Sequence, residues 1–183
     1  RVAENALYVN RCLVTHNHSS FLQSVEHFDY RFQNTRVPGN EALRDREDIL
    51  EPTEANVQRV AEEKDRAVAD VHEMDAILER CRDALPPADY RQLRRTLDYQ
   101  IASVQTYREY AVTYWRWRVF LHGDAPDRLD KLMAAAGACE QAARELMTHD
   151  RKQGEAALGF VANIRSRAWV ECCSRFAGPK GIV

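Results

Sequence analysis

The chain has 183 residues, with 26 basic and 28 acidic side chains and a formal charge of −2, so no strong field draws it to nucleic acid or anionic lipid. Hydrophobic residues at 45% suffice for a core, and charged ones at 30% suit long solvated helices. Only 7 Gly and 6 Pro argue against a turn-rich β-sandwich or barrel, and no apolar run nears the roughly 18 residues of a membrane span.

The first residue is Arg1, and nothing after it has the zones of a signal peptide, so a piece cut from something longer is expected. Val2, Ala6, Val9 and Leu13 recur at helical spacing and predict a first short helix. The polar stretch Thr15-His16-Asn17-His18-Ser19 interrupts it. Ser20 then opens S-x-x-Q with Gln23, a capping box that satisfies two orphan backbone donors. Phe21, Val25, Phe28 and Phe32 follow on one face of a second helix, too large to leave wet. Residues 1–33 thus read as an N-terminal helical segment. Residues 34–52 hold the turn signal Pro38-Gly39-Asn40 and read as a connector.

From Thr53 the pattern sharpens. Val57, Val60, Lys64, Ala67, Val71, Met74, Leu78, Cys81 and Leu85 step by three and four, a coiled-coil-type seam with one polar member, Lys64. Pro86-Pro87 ends that helix, and Pro87 suits the first turn of the next. Leu93, Leu97, Ile101, Val104, Tyr107, Ala111 and Tyr114 carry a second seam to His122, where Gly123 suits a left-handed stop. Asp124 is placed to cap a third helix with Pro126 in its first turn, and Leu129, Leu132, Ala136, Cys139, Ala143 and Leu146 form its seam. Connections this short make neighbours antiparallel. The expected fold is all-α: an antiparallel bundle of three long helices, about 53–85, 87–122 and 126–150. Extra N-terminal and C-terminal helices pack on it, the last carrying Leu158, Val161, Ile164, Ala168 and Cys172. Residues 53–183 form the bundle with its C-terminal helix, in one compact domain overall.

Five cysteines, at 12, 81, 139, 172 and 173, include no C-x-x-C pair and read as reduced packing residues, which points to a cytoplasmic setting. The run Tyr110 to Leu121 is the sharpest local feature. At 100° per residue Tyr110, Tyr114, Trp117 and Leu121 share one sector, and Ala111, Val112, Trp115 and Val119 another, with Arg116 and Arg118 on the borders. Two apolar sectors imply two neighbours. Tyr110, Tyr114, Trp115, Trp117 and Arg118, with Phe21, Phe28 and Phe32, are therefore candidates for an interface or for stacking a sugar or base, interior packing being the simpler reading. His16, His18 and His27, near Glu26 and Asp29, are the one candidate metal cluster. They lack H-x-x-x-H and E-x-x-H spacing, so neither a metal nor any other cofactor is assigned. Phosphate loops and nucleophile elbows are missing, and the carboxylates fall on charged helix faces beside arginines; no catalytic residue is assigned.

Leu7-Tyr8-Val9-Asn10 followed by Thr15 to Ser20 resembles the run after the catalytic barrel in large bacterial glycoside hydrolase-like proteins. Leu97-Asp98-Tyr99 with the Tyr107 to Asp124 helix resembles the C-terminal helical domains of α-glucuronidase-like enzymes. Catalytic carboxylates of such families lie on the barrel, which this chain lacks. The resemblance implies an accessory helical domain that packs on a barrel or mediates dimerisation. The expected function is thus a non-catalytic helical accessory domain, the C-terminal fragment of a larger, carbohydrate-active protein. Its partner would be a neighbouring domain or a second copy, with neither nucleic acid nor membrane. The alternatives are a self-contained oligomerisation or scaffold bundle, and a small metal- or ligand-binding protein using the N-terminal histidines.

Overall fold

The structure, a computed structural model, describes residues 52–176. The expected N-terminal segment, with Phe21, Phe28, Phe32 and the histidines, lies outside these residues, as does most of the connector. Among the described residues there are four α-helices and no strand: α1 (Glu54–Arg80), α2 (Pro87–His122), α3 (Arg128–His149) and α4 (Arg151–Phe176).

Helix α1 starts where the seam starts, because the Thr53 hydroxyl accepts the Asn56 amide at 3.2 Å and satisfies an orphan donor. It stops at Arg80, short of the expected Leu85. Cys81 is its C-cap, a 3-10 turn spans Arg82–Ala84, and Leu85 is extended at φ −104, ψ 145. A residue before proline is pushed out of the helical region, so the break begins upstream of Pro86. Pro87 opens α2 as expected, since its missing amide is one of the donors a helix start leaves unpaired.

The α2–α3 connection differs from its sequence reading. Gly123 is extended, at φ −86 and ψ 167, so no left-handed stop occurs. It matters instead for close approach: a Cβ there would lie 2.7 Å from the Val119 carbonyl oxygen. Pro126 stays outside α3, which starts at Arg128 after Asp127, and no side chain caps that end. The α3–α4 junction is tighter than the sequence suggests. Asp150 alone separates the helices; its amide bonds the Leu146 carbonyl at 2.7 Å, and its carboxylate accepts the Gln153 amide at 3.1 Å. Gly154 therefore lies in the first turn of α4. A Cβ on it would meet Met147 Cγ at 2.2 Å and the Ala143 carbonyl oxygen at 2.8 Å.

Ion pairs record the directions. Glu54 meets Arg116, Asp65 meets Arg108, and Asp75 meets Arg94, so α1 and α2 run antiparallel. Arg165 reaches Glu140, so α4 runs back along α3. Helix α2, at roughly 54 Å, is the shared wall: it packs on α1 and on α3, and more lightly on α4. Two apolar clusters fill the interior. The larger joins Val57 and Val60 to Tyr107 through Phe120, Leu132 through Ala143, and Ala157 through Ala168. The smaller joins Val71, Met74 and Leu78 to Leu97 and Val104.

Candidate functional site

The aromatic run of α2 lies inside this bundle. Tyr110, Trp115 and Trp117 are buried, at 0%, 1% and 7% exposure, and Tyr114 is half-buried. Tyr110 stacks on Phe160 of α4, with ring centroids 3.7 Å apart and planes at 22°. Trp117 tilts against Phe120 at 5.6 Å, and Tyr114 meets Trp115 edge to face at 6.1 Å. Half-buried Arg118 places its guanidinium 4.9 Å from the Trp115 ring centre, a cation–π contact along one helix. A sugar or base needs an open ring face to stack upon, and the three buried rings present none. The sector of α2 that holds Tyr110 has a neighbour in α4, through Phe160. Val161, Ile164 and Ala168 are buried where the spacing of α4 puts them, but the buried side also takes in Ala157 and Phe160, while Leu158 and Cys172 are only half-buried.

A third row on α2, facing α3, was also missed. Ala102, Thr106, Glu109 and Thr113 recur by four, three and four, and all are buried. The Thr106 hydroxyl lies 2.8 Å from the Ala102 carbonyl oxygen and 3.1 Å from that of Ala142, tying α2 to α3. Thr113 donates to the Glu109 carbonyl oxygen at 2.7 Å. The Glu109 carboxylate accepts from Arg108 at 2.8 Å and Gln105 at 3.3 Å. Burial, with Glu109 close by, pushes the Cys139 thiol up to about 12. Such a thiol is inert at neutral pH. The polar spacing was visible in the sequence, but only burial distinguishes a satisfied interior row from a solvated one.

Between α2 and α3 a groove of about 300 Å³ has a floor of Ile101, Ala102 and Ala142 and a rim of Asp98, Gln105, Glu145 and His149. The rim groups are engaged. Asp98 bonds Arg94 at 2.8 Å, Gln105 bonds Glu109, and His149 lies 3.8 Å from Glu145. Among the described residues no group of three or more His, Cys, Asp or Glu is placed to hold a metal ion. No described helix is long and apolar enough to cross a membrane.

One described feature stands open. On the outer side of α4, Trp169 is 73% and Val170 62% exposed, the largest apolar exposures in the described chain besides Leu93 at 39%. Ala162, Ser166 and Cys173, which lie seven and three residues before Trp169 and four after it along the same side, are also exposed. No family model, curated protein or solved structure matches the chain.

Proposed function

We propose that the chain is a non-catalytic helical accessory domain that works by packing against other polypeptide. In this reading α1 to α3 are the antiparallel bundle, α4 and the N-terminal segment are laid on it, and the whole is the C-terminal part of a larger protein. The likeness to α-glucuronidase-like C-terminal domains supports a carbohydrate-active parent. The observation that carries the reading is the contrast between α2 and α4. Aromatic rings that would have suited a ligand platform are spent on the interior, whereas Trp169 and Val170 present apolar area to the outside. Apolar side chains exposed together mark contact surfaces when they form a patch, and Trp is enriched among the residues that anchor such contacts.

The direct test is acrylamide quenching of Trp169, isolated by difference against Trp169→Phe, in this chain and in the chain extended by the reading frame that precedes Arg1. A protected indole in either form supports packing. An indole quenched as freely as in a peptide in both forms contradicts it. A barrel encoded in that upstream frame would support the carbohydrate-active parent, and an immediate start codon would remove it.

A further inference from the structure

The packing reading leaves open which polypeptide covers α4, and the placement of the helices bears on that question. Because α4 runs antiparallel to α3, its C-terminal half lies at the end of the bundle where α3 begins. Helix α1 starts at the same end, with Glu54 bonded to Arg116 near the close of α2 and to Lys131 at 3.3 Å near the start of α3. The chain before Thr53 therefore joins the bundle at the end that carries Trp169 and Val170. Residues 34–52, which extend to roughly 60 Å at full reach, are ample to bring residues 20–33 onto α4.

Shape agrees. Along α4 the exposed Ala162 and Ser166 are small, the large exposed Trp169 stands one turn beyond Ser166, and at Gly159 the space a Cβ would fill is open. The spacing of Phe21, Val25, Phe28 and Phe32 predicts a ridge of large side chains that needs an uncovered face to rest on. We propose that the outer face of α4 around Trp169 and Val170 is the seat of the chain's own segment from Phe21 to Phe32. This rests on the packing reading and names its occupant. A tethered segment reaches an effective concentration near the millimolar range, which favours it over a second copy at ordinary protein concentrations.

The test uses the full chain, with Trp169 again isolated by difference against Trp169→Phe. The expected result is a shielded indole at low micromolar concentration that becomes severalfold more quenchable in Phe28→Asp, and less so in the milder Phe28→Ala. Far-ultraviolet circular dichroism and the thermal midpoint report whether the bundle itself survives each change. An indole shielded equally in wild type and both Phe28 variants overturns the assignment. If dilution then exposes it, a second copy is the occupant; if not, another part of the chain is. In both cases the packing reading stands. An indole fully exposed in the wild-type chain overturns the assignment, and the extended chain then decides the packing reading separately.

Discussion

The α1–α2 pair and the α2–α3–α4 core are built from different materials. Along α1 the interior thins at Lys64 and Ala67, and there the apolar core divides into its two clusters. Lys64 is 13% exposed and meets Glu63 at 3.3 Å, so its stem fills the seam while its charge finds a partner. Beyond that point α1 holds α2 with a few aliphatic side chains and a surface network in which Arg94 meets Asp75, Glu79 and Asp98. The other side is dense. Ala136, Cys139, Ala143 and Ala157 are fully buried, letting α3 and α4 close upon Tyr110, Trp115 and Phe160. Apolar burial is worth far more per residue than exposed ion pairs, so stability should be concentrated in α2–α4, and the α1–α2 hairpin tip should open first.

Substitutions can break that comparison at either end. Phe160→Ala removes the partner of Tyr110 and leaves a cavity, and should cost about 3–5 kcal/mol by urea unfolding. Gly154→Ala drives a methyl into Met147 and into backbone; a loss of about 2–3 kcal/mol, of the overpacking kind, should lower the thermal midpoint by several degrees. Met74→Ala, in the thinner cluster, is expected nearer the low end of the roughly 2–5 kcal/mol range for such truncations. Arg94→Ala should cost about 1 kcal/mol or less, because its partners are solvent-exposed. A larger loss for Arg94→Ala than for Phe160→Ala would reverse the ranking.

Titration tests the ion pairs that flank the dense side. Partial burial alone would raise the Glu54 carboxyl, but Arg116 and Lys131 outweigh it and hold it below the usual carboxylate range. Lys131 lowers Asp127, and Arg144 and Arg165 lower Glu140. Groups lowered on folding contribute stability above their unfolded values, and that contribution is lost as pH falls through the folded ones. The thermal midpoint should therefore drop by a few degrees below about pH 4, measured by circular dichroism, and added salt should shrink the drop. Cys139, by contrast, should stay unreactive to a thiol reagent from pH 6 to 9 until the chain unfolds, while exposed Cys81 and Cys173 react at once.

Much of the helical layout was legible because strong punctuation and a regular period agree: the seam that opens after Thr53, Pro87 as a start, and Leu132, Ala136, Cys139, Ala143 and Leu146 as a seam all fall where the spacing puts them. What escaped depended on neighbours. Gly154 reads as a break, yet it sits in a helix because Met147 crosses there without room for a Cβ. Glu109 falls among the carboxylates that stand beside arginines in sequence, yet it and Thr113 are interior because α3 sets Cys139 and small alanines opposite them. Trp169 lies off the spaced stripe of the last helix, and the inward turn of Phe160 and Ala168 leaves it outside.

Native-state hydrogen exchange, residue by residue, tests the central claim that the aromatic run of α2 is the structural heart of the chain. The account predicts that amides from Tyr107 to Phe120 exchange only through global unfolding, with those from Asp70 to Arg80 released earlier by local opening. Exchange from Tyr110 to Trp117 as fast as at the hairpin tip would contradict it.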